Sequence, residues 1–501
     1  MKAKTLMIVG SSSSAGKSLL VTALCHYYAQ CGVKVAPFKA QNMSNNAAVC
    51  PNGSEIGRAQ AVQAIAAGLE PEVQMNPILI KPEADSRAQV ILMGRAWQTL
   101  DARDYYPRKD ELWRHVTESL DYLREKYELV IIEGAGSPAE LNLQASDIVN
   151  MAVAKYAQSP TLLVGDIDRG GIFAQLLGTY WLLPEEEQNL IAGFIVNKFR
   201  GDITLFEDGI EILEERSSIP VLGMLPYIKN LYIPEEDAVS LETPSMISSS
   251  LSAAQIDIAI IHLPRIANFD DFDPLDAENG VSVRYVDSLK KFGEPDIVII
   301  PGTKSTAQDW AWIRKMGLDR AIQNHAKKGG ALVGICGGYQ MLGESISDPL
   351  QVESSTLEID GLNLLPIKTT FIAKKDTHQA AVKISNGKTW LKRLENQKLR
   401  GYEIHMGRTE SKSHFLEIIE RNGKKVSVID GAISEDGKIW GCYIHGIFDN
   451  ENFRHAWLTS LGWSETQAGK DDLFQESLSR LENSLEESLN MDLLEKIIWE
   501  D

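Results

Sequence analysis

Short aliphatic segments that end in glycine or a polar residue recur along the N-terminal half of the chain and constrain its fold more than any other feature. Four of these segments are Thr5–Val9, Leu129–Ile132, Thr161–Val164 and Ile191–Val196. Aliphatic runs of about four to six residues between turn residues are typical of parallel strands buried on both faces. The intervening stretches are long enough for crossover helices. The sequence therefore predicts a doubly wound α/β domain whose ligands lie at the carboxyl ends of the strands.

A second α/β domain is predicted further along the chain. The strand pattern restarts with Ile256–Ile261, Ile297–Ile300 and Ala331–Ile335. The segment before it, LETPSMISSSLSAAQ, is rich in serine and small residues, as linkers are. The last residues are acidic, with apolar positions three or four apart, which favours a helix docked by its Leu/Ile face. The predicted organisation is a first domain at 1–240, a linker at 241–255, a second domain at 256–463 and a helical tail at 464–501.

Charge and cysteine content narrow the class of protein. Lys and Arg total 50 and Asp and Glu total 69, a net charge of −19. An acidic surface of this kind repels phosphate backbones and argues against nucleic-acid or anionic-membrane partners. The five cysteines are an odd number without metal-ligand spacing, which fits a reducing compartment. No apolar run approaches the roughly 20 residues that span a bilayer. We therefore expect a cytoplasmic protein, whose oligomeric state the sequence leaves open.

A phosphate loop is predicted after the first strand, in the segment GSSSSAGKS. A strand, a glycine-bearing loop and a helix in that order allow backbone N–H groups to hold phosphates. The candidate nucleotide-binding residues are Ser14, Gly16, Lys17 and Ser18, with Lys17 directed to the β and γ oxygens and the Ser18 hydroxyl to Mg²⁺. The spacing departs from the usual pattern, because its first glycine position is occupied by Ser11. A serine-rich turn without a ligand is the alternative interpretation.

Carboxylates at strand ends are candidates for the metal. Glu133 follows an aliphatic strand directly and is the expected second Mg²⁺ partner of Ser18, although it could instead cap the next segment. Asp166 and Asp168 end another strand and could serve metal or substrate, or simply form a turn. Polar side chains in the segment KAQNMSNNA suit a polar substrate or nucleotide: Lys39, Gln41, Asn42, Asn45 and Asn46. The basic residues Lys81, Arg87 and Arg95 could pair with substrate carboxylates, or be solvated surface charges.

A nucleophilic cysteine is predicted at Cys336. An aliphatic strand, the glycine-rich core GICGG and a helical continuation form the sharp turn that exposes a nucleophile above a sheet. A helix N-terminus also favours the thiolate. His445, at the end of the strand-like segment WGCYIH, is the candidate base. Gly337 and Gly302 could supply oxyanion N–H groups. The alternative is a buried cysteine and a structural histidine.

Several segments together resemble the cobyric acid synthase family: KAQNMSNNA, EGAGSPAELNL, DIDRGGIFAQ, ANFDDFDPL, CGGYQMLG and GYEIHMGRT. The resemblance implies a dethiobiotin-synthetase-like ATP domain fused to a class I glutamine amidotransferase domain of the triad type. It implies amidation of the b, d, e and g carboxylates of adenosylcobyrinic acid a,c-diamide, a corrinoid polycarboxylate, in cobalamin biosynthesis. Glutamine would be the nitrogen donor and ATP with Mg²⁺ the activator.

The resemblance places the family nucleophile on Cys336 and the family histidine on His445. Class I amidotransferases usually carry a glutamate two residues after the histidine, but that position is Ile447 here. The group that orients His445 is therefore open, with Asp449 or a backbone carbonyl as candidates.

Three alternative functions remain at the level of sequence. One is a cobyrinate a,c-diamide synthase-like enzyme, which fits ANFDDFDPL and GYEIHMGRT less well. Another is a glutamine amidotransferase that acts on a different polycarboxylate. The third is a partitioning-type P-loop ATPase switch, which would have no use for a Cys–His pair.

Overall fold

The computed structural model describes residues 2–83, 86–234, 236, 255–354, 356–385, 389–395, 397–464 and 473–500. The linker predicted at 241–255 lies outside the described residues except for Gln255, whose N–H donates to the carbonyl of Gly280. No helix in these ranges is long and apolar enough to cross a membrane.

The first domain is built on a six-stranded parallel sheet, as the aliphatic segments predict. In spatial order its strands are Val221–Pro226, Ile191–Phe199, Thr161–Asp166, Lys4–Gly10, Leu129–Glu133 and Val35–Phe38. Aliphatic side chains on both faces of the central strands are fully buried, because helices cover both faces. The helices of this part of the chain are Lys17–Gln30, Arg58–Ala66, Ala102–Tyr105, Lys109–Lys126, Met151–Ala157, Ile172–Leu182, Glu185–Gln188 and Glu207–Ser217.

The second domain repeats this architecture. Its sheet runs Val281–Val286, Ile256–Ile261, Ile297–Ile300, Ala331–Ile335, Ile439–Cys442 and Ala432–Ile433, with only the last strand antiparallel. Its helices are Asp273–Asp276, Leu289–Phe292, Thr306–Lys315, Leu318–Lys327, Gly337–Met341 and Glu451–Ser460. The predicted fold class, two consecutive α/β domains with largely parallel sheets, is confirmed.

The chain also forms smaller sheets that the sequence analysis did not predict. One comprises Gln41–Met43, Ile78–Pro82, Arg87–Leu92 and Arg95–Asp101, and a two-stranded ribbon joins Ala47–Val49 to Glu55–Gly57. A third sheet comprises Glu358–Asp360, Ser345–Ser347, Ile367–Ile384, Leu416–Arg421 and Lys424–Asp430, with Lys398–Ser411 also paired to Ile367–Ile384. Short 3₁₀ segments occur at Val73–Met75, Tyr106–Arg108, Gln144–Ser146, Ile167–Arg169, Ile203–Phe206, Phe269–Phe272, Thr389–Leu394 and Ile447–Asp449.

The C-terminal tail forms two helices, Leu473–Ser488 and Met491–Trp499, where the sequence pattern indicated one. Both pack on the first domain. Their leucine and isoleucine side chains belong to the hydrophobic cluster that also contains Leu6 and Leu24 of the phosphate-loop strand and helix. The C-terminal helices thus pack against the domain that contains the N-terminal strand.

Candidate active sites

The predicted phosphate loop lies between strand Lys4–Gly10 and helix Lys17–Gln30. Gly16 has φ 98°, and a Cβ atom there would lie 2.1 Å from Asn197 Nδ2, so only glycine fits this position. Ser14 also has a positive φ of 58°. Left-handed residues of this kind are typical of the loops whose successive backbone N–H groups bind phosphates.

Lys17 is held over the loop by backbone oxygens. Its Nζ donates to the carbonyls of Ser12 and Gly136, each at 3.0 Å. Burial, opposed by the carboxylate of Glu133, lowers the pKa of Lys17 to about 8. The ammonium group therefore lies in a poorly solvated position, where a phosphate would gain more from it than at the surface.

Two carboxylates meet the Ser18 hydroxyl at the carboxyl end of the sheet. Ser18 Oγ lies 2.8 Å from Glu133 Oε1 and 2.9 Å from Glu236 Oε2. Lys39 Nζ lies 2.8 Å from Glu133 Oε1 and also contacts Glu236. Sequence analysis missed Glu236 because it lies far along the chain without a motif around it.

The donor atoms around Ser18 fit a magnesium ion. A hydroxyl and two carboxylates are hard oxygen ligands, and P-loop sites complete the shell with phosphate and water. The described residues contain no group of three or more His, Cys, Asp or Glu side chains that could hold a metal without such help.

The other polar residues predicted for substrate are distributed over several places. Lys39 belongs to the carboxylate cluster just described, and Asp166 and Asp168 form separate ion pairs with Lys198 at 2.9 Å and Arg200 at 2.7 Å. Gln41 accepts a hydrogen bond from Tyr105, Asn42 donates to Gln60, and Asn46 accepts from the Asn268 N–H of the second domain. The Asn45 side-chain oxygen is buried with no hydrogen-bond partner among the described residues.

The three basic residues proposed for substrate carboxylates do not form one patch. Lys81 is buried and paired with Glu55 at 2.8 Å, which makes it a structural charge as well as a wall of the cysteine pocket. Arg87 and Arg95 are exposed.

Cys336 occupies the sharp turn that the glycine-rich segment predicts. It lies between strand Ala331–Ile335 and helix Gly337–Met341, with φ 51° and ψ −106°. A Cβ atom at Gly338 would lie 1.9 Å from the Ile300 carbonyl oxygen, so the turn can pass this close to the neighbouring strand only with glycine there. A non-glycine residue in such a conformation is strained, as nucleophiles at these turns are.

His445 and Asp271 complete a triad with this cysteine. The imidazole of His445 lines the same pocket as the Cys336 side chain, and its Nδ1 lies 2.6 Å from Asp271 Oδ2. The Cys336 thiol itself donates to the Ile404 carbonyl at 3.6 Å. The Gly446 N–H donates to Asp271 Oδ1 at 2.8 Å, and the Tyr402 ring stacks on the imidazole with centroids 5.3 Å apart. Burial lowers the pKa of His445, but Asp271 outweighs it and raises the pKa to about 10.

The group that orients His445 is therefore Asp271, neither Asp449 nor a backbone carbonyl as the sequence suggested. Asp271 belongs to the segment ANFDDFDPL, which carries four carboxylates or amides within six positions. That density was the available signal, but nothing in the sequence indicates which of these residues meets a histidine so far away.

Gly302 and Gly337, the predicted oxyanion donors, both line the pocket beside Cys336. A Cβ atom at Gly302 would lie 3.0 Å from His445 Cε1, and one at Gly337 would lie 2.7 Å from Thr303 Cγ2. The Gly337 N–H begins a helix and therefore has no acceptor within that helix. Their absent side chains leave the space in which a substrate carbonyl could approach the thiol.

Both domains contribute polar or charged side chains to the pocket in front of Cys336. Lys81 and Gln89 come from the first domain, and Lys304, Glu353 and Lys375 from the second. Burial raises the pKa of Glu353 to about 7, against the attraction of Lys304, and burial lowers the pKa of Lys375 to about 8. The pocket thus contains partly neutralised charges, which suits a small zwitterionic ligand.

The fold agrees with what the comparisons with known proteins find. Residues 6–240 match the model of the CobQ/CobB/MinD/ParA nucleotide binding domain, and residues 257–453 match that of the CobB/CobQ-like glutamine amidotransferase domain. The protein is a glutamine amidotransferase enzyme with a fused nucleotide-binding domain.

The relatives extend over nearly the full chain. A cobyric acid synthase of Chloroflexus aurantiacus is 56% identical over 468 residues, covering 92% of this chain and 93% of its own. Cobyric acid synthases of Chloroflexus aggregans and Herpetosiphon aurantiacus are each 53% identical over 502 residues, covering at least 99% of both chains. The chain belongs to the cobyric acid synthase family.

Proposed function

We propose that the protein is an ATP- and glutamine-dependent ligase that amidates the b, d, e and g carboxylates of adenosylcobyrinic acid a,c-diamide. The observation that carries the proposal is the presence of a Cys336–His445–Asp271 triad and a phosphate loop with paired carboxylates in one chain. Hydrolysis of glutamine and activation of a carboxylate are the two half-reactions that such a ligase needs.

In the glutaminase half-reaction, the Cys336 thiolate, whose proton has passed to His445, attacks the side-chain amide carbon of glutamine, and a thioester forms as the C–N bond breaks. His445, held protonated by Asp271, gives its proton to the departing ammonia. It then takes a proton from the water that hydrolyses the thioester to glutamate. The N–H groups of Gly337 and Gly302 stabilise the tetrahedral oxyanion.

In the synthetase half-reaction, the substrate carboxylate attacks the γ-phosphorus of ATP, which gives an acyl phosphate and ADP. Ser14, Gly16 and Lys17 bind the phosphates. Mg²⁺ bound by Ser18 and Glu133, with Glu236 beside them, would neutralise phosphate charge. Ammonia displaces phosphate from the acyl carbon and leaves the amide. The carboxylate alone is a poor electrophile, which is why activation precedes amidation.

The choice of substrate rests on the family to which the chain belongs and on its enzymes' shared name. Lys39, Gln41, Asn42, Asn45, Asp166 and Asp168 remain the candidate substrate contacts of the first domain. All five cysteines are free thiols, which supports a reducing compartment, the cytoplasm.

Mass spectrometry of the products tests the proposal. The full chain is incubated with ATP, MgCl₂, glutamine and either adenosylcobyrinic acid a,c-diamide or the unamidated cobyrinic acid. Four replacements of a carboxyl OH by NH₂ are expected on the diamide. Reaction confined to the a and c groups of the unamidated acid would instead identify a cobyrinate a,c-diamide synthase-like enzyme. ATP hydrolysis without glutamine hydrolysis would identify a switch ATPase.

A further inference from the structure

Arg58, a residue of the first domain, forms an ion pair with Asp270, the neighbour of the triad residue Asp271 in the second domain. Its guanidinium lies 2.6 Å from Asp270 Oδ2, and the carboxylate of Asp270 is 2% exposed. The next residue, Asp271, is the partner of His445. Asp271, which hydrogen-bonds to His445, is therefore adjacent in sequence to Asp270, which is ion-paired with the first domain.

The charge of Arg58 balances the buried carboxylate of Asp270. Burial lowers the pKa of Arg58, but attraction by Asp270, with smaller effects of Tyr402, Asp449 and Asp271, raises it above its ordinary value. Burial also raises the pKa of Asp270, and Arg58 opposes that shift. Without this cation, the buried carboxylate next to Asp271 would lose the charge that compensates it.

The helix that begins at Arg58 also contacts Ser18 and Glu133 of the proposed nucleotide site, through Gln63. Arg58 is the first residue of helix Arg58–Ala66, and Gln63 lies five positions later, about 7.5 Å along the axis. Gln63 Nε2 donates to Glu133 Oε2 at 2.6 Å and lies 3.4 Å from the Ser18 carbonyl oxygen. One short helix therefore contacts the carboxylate beside Ser18 and the carboxylate beside Asp271.

The helix Arg58–Ala66 is closely packed on its surroundings. Its residues Ala59, Gln60, Ala61, Val62 and Ala64 are all buried. Its first N–H donates to the Asn46 carbonyl, and the Asn46 side chain accepts the Asn268 N–H of the second domain at 2.7 Å. A displacement at Gln63 would therefore be transmitted to Arg58 rather than absorbed within the helix.

We propose that Arg58 is a positioning residue of the glutaminase triad, and that helix Arg58–Ala66 couples nucleotide binding at Ser18 and Glu133 to the alignment of Asp271 with His445. The proposal rests on the proposed function, since it takes the phosphate loop as the nucleotide site. When Glu133 turns toward a bound metal–nucleotide complex, Gln63 loses or changes its partner. The helix then shifts Arg58 against Asp270, and glutamine hydrolysis responds to ATP.

Glutamine hydrolysis by the full chain tests this coupling, measured with and without a non-hydrolysable ATP analogue and MgCl₂. We expect the analogue to change kcat of the wild type by about fivefold or more, the lower range of allosteric coupling. In Arg58→Gln and in Gln63→Leu the response should fall below about twofold. Arg58→Gln should also lower the basal kcat with KM for glutamine nearly unchanged, and Arg58→Lys should restore part of the response.

Gln379→Ala is the matched control. Gln379 also bonds across the domains, to the Val49 carbonyl, but touches neither site, so this variant should respond to the analogue as the wild type does. Titration calorimetry should show that Arg58→Gln binds the analogue with the wild-type Kd. This measurement separates a loss of coupling from a loss of nucleotide binding.

A full nucleotide response in Arg58→Gln, or none in the wild type, would overturn the coupling. If circular dichroism shows that Arg58→Gln is unfolded, Gln63→Leu decides in the same way. A wild-type chain that hydrolyses no glutamine and binds no analogue would overturn the proposed function itself, and the coupling with it.

Discussion

Asp271 Oδ2 lies 2.6 Å from His445 Nδ1, although 174 residues separate the two in the chain. The Asp271 carboxylate also accepts the Gly446 N–H, so it fixes both the side chain and the backbone of the histidine segment. In the proposed mechanism it takes the place of the aspartate or glutamate of other triads, but it comes from the 3₁₀ segment Phe269–Phe272 after the first strand of the domain. The familiar position after the histidine, Ile447, is buried and apolar.

Asp271→Asn should reduce glutamine hydrolysis strongly while leaving the fold intact. The amide keeps the size of the side chain but removes the charge that holds His445 protonated and in the correct tautomer. Loss of this function costs up to about 10⁴-fold in the best-studied triad, and we expect a decrease in kcat of at least about 10²-fold. Asp449→Asn is the control, with a smaller effect expected because Asp449 does not contact His445. An equal loss in both variants would contradict the assignment of Asp271.

The pH dependence of glutamine hydrolysis should also depend on Asp271, because Asp271 controls the pKa of His445. Asp271 raises the pKa of His445 to about 10, so the imidazolium persists through neutral pH and is lost only as the pH rises through that value. The stabilisation from this ion pair is likewise complete below the ordinary histidine pKa of about 6.5 and disappears toward pH 10. In Asp271→Asn no carboxylate opposes the burial of His445, so the pKa of His445 falls. The basic limb of kcat/KM should therefore move to lower pH, and an unmoved limb would mean that Asp271 does not control the proton.

The sequence predicts most of the framework because the framework depends on local patterns. The aliphatic runs predict four of the six strands of the first sheet and three of the six strands of the second. The glycine-bearing turns at Gly16 and Cys336 require unusual backbone angles that leave a clear mark on composition. These turns also lie where parallel strands end, so their residues could be assigned to sites before any contact was known.

The parts that escaped prediction depend on contacts between distant residues. Asp271, Glu236 and Arg58 have no local pattern of their own, and each acquires its role only by meeting a partner from another segment. The added sheet around strand Ile367–Ile384 was missed because that strand and its partner Lys398–Ser411 are long, partly exposed and irregular in alternation, and two of its other strands have only three residues. A single sequence carries no signal for such pairings, since they depend on tertiary packing.

Cys336→Ala should abolish amidation with glutamine and leave amidation with ammonium salts in place. Without the thiol no thioester forms, but the phosphate loop and its carboxylates are untouched and external ammonia can reach the acyl phosphate. Amide formation is measured with each nitrogen source in turn. Cys31→Ala, at an exposed cysteine, serves as the control and should behave as the wild type. Loss of both activities in Cys336→Ala would argue against two separate sites.

Lys17→Ala should lose amide synthesis and keep glutamine hydrolysis. Its ammonium is held by the Ser12 and Gly136 carbonyls over the loop, so its removal takes away the charge that would contact the phosphates. We expect amide synthesis to fall by at least about 10²-fold, the scale of losing one preorganised charge on the reacting group. Glutamine hydrolysis without nucleotide should persist. Lys34→Ala, at an exposed lysine, is the control, and unchanged synthesis in Lys17→Ala would overturn the phosphate-loop assignment.

The C-terminal tail should stabilise the first domain from which it is most distant in sequence. Leu485 is 2% exposed, and the hydrophobic cluster around it includes Leu24 of the phosphate-loop helix. Leu485→Ala should therefore lower the free energy of unfolding by about 2–4 kcal/mol, as loss of a buried leucine side chain does. Leu205→Ala is the control, because that leucine is 83% exposed and its truncation should cost less than about 0.5 kcal/mol.

Urea denaturation with and without an ATP analogue measures this effect and its connection to the site. A ligand that binds only the folded state adds stability by mass action, so saturating analogue should recover part of the loss in Leu485→Ala. The recovery should appear in the unfolding transition of the first domain, since the tail helices pack on that domain. Equal midpoints for Leu485→Ala and Leu205→Ala would mean that the tail contributes nothing to the core it covers.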